Sequence, residues 1–282
     1  MFGINTFLFT SPFTNESVNL FPKFKEWGFD AVEIAVEDPS HIDPAFIKDE
    51  LIKNGLTCNT VCAAMSPDHD LRGNEQQQQT ALGYLKGLLD VLVKLQGKML
   101  IGPLYSAVGR ADAVPEDEYR EQWKLVVGHL KIIAGYASER NLKLGIEPLN
   151  RFETDFINTV DQSLQLIREI DNPAALLHYD TFHMNIEEKD QARAIRKAGK
   201  YLGHFHACGC DRGIPGNDHI NWSAISEALT EIGYEGDIVI ESFTKDVKVI
   251  ARAAAIWRQI EPSQESIAEE GVKNLRRLLA DL

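Results

Sequence analysis

The sequence predicts an α/β fold of the (β/α)8-barrel class, and three observations carry that expectation. Eight short β-rich runs alternate with longer amphipathic runs along all 282 residues. Strict alternation makes the strands parallel, because each helix carries the chain back to begin the next strand on the same side. The rival, an open doubly wound sheet, is disfavoured because no GxGxxG follows the first run. With no Pro-, Gly- and Ser-rich linker to divide it, the chain is expected to form one domain over residues 1–282.

The predicted strands are 2–9 (FGINTFLF), 29–36 (FDAVEIAV), 56–63 (LTCNTVCA) and 97–104 (GKMLIGPL). Four more follow at 142–149 (LKLGIEPL), 174–181 (AALLHYDT), 201–208 (YLGHFHAC) and 236–243 (GDIVIESF). Helical periodicity covers 17–28, 43–55, 74–95, 115–141, 159–170, 191–199, 221–233 and 266–282. Asp43-Pro44, Val114-Pro115 and Asn221 supply helix-start chemistry, and Gly28, Gly55 and Gly233 fall where a helix ends.

A formal charge of −13 excludes simple electrostatic binding of nucleic acid or anionic membrane. No run approaches the roughly 18 apolar residues of a membrane span, and no leader opens the chain, so a cytoplasmic protein is expected. Four cysteines, Cys58, Cys62, Cys208 and Cys210, are too few for a disulfide framework in a chain this long. Neither close pair has CxxC spacing, so buried small hydrophobes are expected rather than zinc ligands.

In a parallel barrel the reaction site gathers where strands end. Four consecutive predicted strands end in metal-capable groups: Glu147 in GIEPLNRFE, Asp180 in HYDTFHMN, His206 in GHFHACGCDRG and Glu241 in VIESF. An unpaired carboxylate after an apolar run is costly to bury, and a divalent cation removes that cost. Three carboxylates and one imidazole are a mainly hard donor set, suited to Mn²⁺ first and also to Co²⁺ or Mg²⁺.

With these motifs in view, the chain resembles the D-tagatose 3-epimerase family, which includes D-psicose and L-ribulose 3-epimerases. The resemblance spans essentially the whole chain and is carried by GIEPLNRFETDFINT, YDTFHMNIEE, YLGHFHACGCDRGIPG, VIESF and AIWRQI. It implies a xylose-isomerase-like barrel with the metal held by Glu147, Asp180, His206 and Glu241. It further implies that Glu147 and Glu241 are the catalytic acid–base pair, and that Glu153, His183 and Arg212 contact substrate oxygens. A free ketose as substrate and a homodimer or homotetramer are implied as well. One departure lies in CGCDRG: in the stretch before the Arg, where family members often carry an acidic residue, this chain has Gly209 and Cys210 ahead of Asp211, and these two are candidates to alter loop packing or substrate fit.

Among neighbouring features, Glu33 faces the barrel or the site as a candidate hydrogen-bonded anchor, and His204, on the same side as His206, is read as a core histidine with a supporting partner role as the alternative. Phe7, Met65, Leu104 and Tyr105 are candidates for an apolar sidewall, and Trp27, Trp123, Trp222 and Trp257 for helix packing. Aldose–ketose isomerases and hydroxypyruvate isomerases share this architecture, so fold alone does not separate them from a 3-epimerase. An endonuclease IV-like enzyme needs more ligands and a basic face, and a non-catalytic sugar binder has no use for paired carboxylates.

Overall fold

The computed structural model describes residues 1–280. Its strands are β1 (Phe2–Asn5), β2 (Ala31–Val36), β3 (Thr60–Ala63), β4 (Met99–Gly102), β5 (Lys143–Ile146), β6 (Ala175–Asp180), β7 (Leu202–His206) and β8 (Ile238–Ile240). All pair in parallel and in chain order, with β1 closing on β8. Each lies inside a run predicted from sequence, so the barrel expectation holds.

Ten α-helices accompany them among the described residues: α1 (Phe21–Trp27), α2 (Pro44–Lys53), α3 (Glu75–Leu95), α4 (Glu116–Ser138), α5 (Val160–Ile170), α6 (Thr181–Glu187), α7 (Gln191–Ala198), α8 (Trp222–Glu231), α9 (Lys248–Ala253) and α10 (Gln264–Leu278). Local chemistry sets their starts. Asp43 accepts from the backbone of Ala45 and Phe46, and Asn74, Thr159 and Ser263 form capping boxes. Gly28 takes φ 98°, a left-handed value that glycine adopts without Cβ strain.

Some boundaries differ from expectation for physical reasons. The helix expected over 17–28 begins only at Phe21, because Pro22 has no amide hydrogen and belongs in a first turn; a 3₁₀ stretch, Asn15–Leu20, precedes it. β1 stops at Asn5, whose side chain accepts the Phe7 amide hydrogen at 2.9 Å and starts a 3₁₀ turn. The final helix, expected over 266–282, runs from Gln264 to Leu278, and residues 281–282 of that expectation lie outside the described residues. Helices α6 and α9 had no counterpart in the sequence reading. Trp257 follows α9 in non-helical chain and is 73% exposed, so its expected role in helix packing is corrected.

Leu, Ile, Val and Phe side chains from both strands and helices fill the layer between barrel and helix ring. Fully burying each such side chain contributes about 1.5–3 kcal/mol against chain entropy. The barrel lumen is different. Parallel register sets Asn5 beside Glu33, His178 beside His204, and Asp180 beside His206, all buried. A polar column therefore rises through the barrel to the carboxyl ends of the strands.

Candidate metal centre and active site

The top of that column brings together the four strand-end residues. One ligand atom each from Glu147, Asp180, His206 and Glu241 lies within 4.8 Å of the others, and all four residues are buried. His206 Nδ1 stands 3.4 Å from Glu241 Oε2 and 3.7 Å from Asp180 Oδ2. Among the described residues, His206 Nδ1 and Glu147 Oε1 have no hydrogen-bond partner. Buried orphan acceptors converging on one point are costly alone and are satisfied by a shared cation. The donor set fits a hard divalent ion.

Electrostatics agree. Burial pushes the Glu147 carboxyl well above its ordinary range, and the charges of Glu241 and Asp180 add to the push. Burial has the same tendency at Asp180, but the Arg212 guanidinium and nearby imidazoles outweigh it and hold that carboxyl low. Arg212 Nη1 reaches Asp180 Oδ2 at 2.8 Å and Glu241 Oε2 at 3.1 Å. Its backbone is left-handed, φ 66°, a strained value for a non-glycine residue. Ser242 Oγ donating to the Arg212 carbonyl and the Gly209 carbonyl accepting from the Arg212 amide hold it there.

Below the four, Glu33 anchors the imidazoles, as expected. His206 Nε2 lies 2.7 Å from Glu33 Oε1, which leaves Nδ1 to face the cluster. His204 Nε2 lies 2.8 Å from the other oxygen, Oε2, which also accepts from Thr60 at 2.6 Å. Asn5 Nδ2 donates to Glu33 Oε1 at 2.8 Å and approaches Glu241 Oε1 at 3.3 Å. Burial opposes ionisation of Glu33, but His206 and His204 prevail and keep it a carboxylate. His178, His204 and His206 also cluster within 4.8 Å. That group reads as support for the upper one, because Glu33 already stands against His204 Nε2 and His206 Nε2.

Above the cluster opens a cavity of about 360 Å³. Glu147, Glu153, His183, Arg212 and Glu241 line its floor, so Glu153, His183 and Arg212, the residues expected to contact substrate, all reach the cavity. His183 Nδ1 accepts the Asn150 amide hydrogen at 3.0 Å, and its Nε2 stands 3.0 Å from Arg212 Nη2 and 3.7 Å from Glu147 Oε1. Asn150 Nδ2 also holds Glu153 Oε1 at 2.8 Å. Asn150 and Asn5 were missed in the sequence. For Asn150 the signal existed, since it sits in NRFE, whereas Asn5 lay inside the run expected to continue to Phe9.

Phe7 and Met65 form part of the cavity wall, as expected, with Cys62, Pro103, Val108, Leu149 and Phe243. Leu104 and Tyr105 do not line it; both are fully buried, and Tyr105 donates to the Glu147 carbonyl at 3.0 Å. They brace the floor from behind. Helix α9 covers one side with Val249, Ile250 and Ala253. All four cysteines are free. At the departing stretch, a Cβ on Gly209 would come within 2.8 Å of the Gly213 carbonyl oxygen, so this loop path excludes any side chain there.

The fold and this site define a class: barrels of the xylose isomerase-like TIM barrel family, whose model matches residues 21–278. A Synechocystis protein named "Probable ketose 3-epimerase" is 35% identical, covering 98% of this chain and 96% of that one. The D-psicose 3-epimerase of Ruminiclostridium cellulolyticum is 34% identical over 84% of this chain and 82% of its own. A solved L-ribulose 3-epimerase superposes with TM-score 0.92 at 27% identity, covering 99% of this chain and 94% of that one. The chain belongs to the ketose 3-epimerase family, a group of sugar isomerases. No helix among the described residues is long and apolar enough to cross a membrane.

Proposed function

We propose that this chain inverts C3 of a free ketose, with Glu147, Asp180, His206 and Glu241 holding a divalent ion and Glu147 and Glu241 exchanging the proton. One observation carries the reading. Of the four clustered residues only Glu147 and Glu241 line the cavity, while Asp180 and His206 lie behind them. Two carboxylates thus serve both the ion and a bound ligand, and two residues serve the ion alone.

A bound ion supplies Lewis-acid polarisation of the sugar's carbonyl and neighbouring hydroxyl. Glu147 follows β5 and Glu241 follows β8, with β6 and β7 between them, so they meet a sugar over the barrel mouth from two sides. One removes the C3 proton and the other returns a proton to the opposite face, the roles reversing with direction. Arg212 Nη2 and His183 Nε2 lie 3.0 Å apart on the cavity floor, so both are within reach of one sugar oxygen. Glu153 accepts from a further hydroxyl. Among the described residues, no cationic group other than Arg212 and the imidazoles lines the cavity, which favours a neutral sugar over a phosphorylated one. The hard donors favour Mn²⁺, with Co²⁺ or Mg²⁺ as alternatives, and the free thiols suit a reducing cytoplasm.

The test is incubation of Mn²⁺-loaded protein with D-fructose, D-tagatose and L-ribulose in deuterated water. C3-epimeric ketose carrying deuterium at C3 is expected. An aldose product would replace this reading with an aldose–ketose isomerase, and no conversion of any sugar would reject both.

A further inference from the structure

Asp180 presents two oxygens in different situations. Oδ1 accepts the Phe182 amide hydrogen at 2.6 Å and starts α6, so Oδ2 is the oxygen that joins the four-atom cluster. Against this Oδ2 lies the sulfur of Cys208, 3.4 Å away. The same sulfur is 3.0 Å from Arg212 Nη1, which itself reaches Asp180 Oδ2 at 2.8 Å. Cys208 is fully buried, so water does not compete for the thiol.

The side chain is aimed, not merely adjacent. Thr181 Oγ1 accepts the Cys208 amide hydrogen and donates to the Cys208 carbonyl, both at 2.7 Å. Those reciprocal bonds pin the backbone of residue 208 against the first turn of α6, the turn that Asp180 caps. The four-atom cluster itself does not include the sulfur.

We propose that Cys208 is a positioning residue of the metal-and-sugar site: its thiol donates to the ion-facing oxygen of Asp180 while its sulfur accepts from Arg212. The inference rests on Asp180 being a metal ligand, as read above. Its consequence is coupling: one side chain aligns a group that holds the ion and a group that holds the sugar. Partners of this kind behind a ligand are worth about 10- to 100-fold in metal affinity, and a thiol, as a weak donor, belongs at the lower end.

Titration of metal-stripped protein with Mn²⁺ by calorimetry tests this in Cys208→Ala and Cys208→Ser. The alanine variant is expected to bind Mn²⁺ about tenfold more weakly and to show a raised ketose KM. The serine variant, whose hydroxyl both donates and accepts, is expected to retain affinity within a few-fold of the parent. Equal thermal midpoints of the stripped proteins would exclude a folding defect as the cause. Unchanged Mn²⁺ affinity in Cys208→Ala would overturn the proposal, as would equal weakening in both variants, since packing of the sulfur would then be the cause. A parent chain that binds no Mn²⁺ removes the metal reading and this inference together, whereas Mn²⁺ binding without ketose turnover removes only the proposed reaction.

Discussion

Strands β5 to β8 lead into Glu147, Asp180, His206 and Glu241, whereas β1 to β4 end in Asn5, Val36, Ala63 and Gly102. Both halves have the same parallel geometry. The β5–β8 half gathers the candidate metal ligands, and the β1–β4 half, with the loops above it, gives the cavity much of its wall through Phe7, Cys62, Met65 and Pro103. The halves meet below the mouth, where Asn5 and Glu33 reach across the lumen to Glu241, His204 and His206. A closed barrel lets one half hold the chemistry while the other shapes the space, because every strand end faces the same axis.

That division predicts unequal losses. The largest is expected at the paired acids: Glu147→Gln and Glu241→Gln should each lower kcat by about 10²- to 10⁴-fold and stop C3 deuterium exchange, with the fold retained. Rapid exchange in either variant would break the assignment of roles within the charged half.

Next is the bridge between halves. Glu33→Gln removes the carboxylate behind His206 and should weaken Mn²⁺ binding by about 10- to 100-fold, read by titration of metal-stripped protein. Full affinity would mean that the β1–β4 half is a wall and nothing more. A smaller effect is expected in the wall itself. Met65→Ala should raise KM by roughly tenfold or less, the worth of one or two methylenes of contact, with kcat nearly unchanged. A fall in kcat matching that of the acid variants would erase the distinction between the halves.

The smallest concerns the loops that join the halves at the rim. Asp155 lies 2.6 Å from the buried Arg72 guanidinium. Burial raises the Asp155 carboxyl, but hydrogen bonding and charge from Arg72 outweigh it and lower the value below its ordinary range. A carboxyl lower in the folded than in the unfolded chain stabilises above its unfolded value and loses that effect as pH falls through the folded one. Asp155→Asn should therefore reduce thermal stability at neutral pH, and the gap to the parent should close as acid protonates Asp155. A gap that persists unchanged at the acid end would assign the loss to packing.

Much of the fold was legible because strand and helix periods are local properties of a chain, and Asp43, Asn74 and Thr159 act within one turn of where they stand. The four candidate ligands were legible for a related reason, since each ends an apolar run in which an ionisable group is conspicuous. What escaped was short or depended on distant partners. Helix α6 grows directly out of β6, so Asp180 serves at once as strand end and helix cap with no loop to mark the change. Helix α9 is six residues, too short for a periodic signal. Leu104 and Tyr105 carried the right apolar character for a wall yet turn behind the floor.

By itself the sequence determined the alternation of elements, the acidic surface and the residue types at the strand ends, because these follow from spacing and composition along one chain. Only the tertiary structure decided that Glu147 and Glu241 face the cavity while Asp180 and His206 stand behind. It alone brought Glu33, 173 residues away in sequence, to His206, and turned the Cys208 sulfur onto Asp180. Such contacts depend on barrel closure and strand register, and a register is a relation between strands that no single strand encodes.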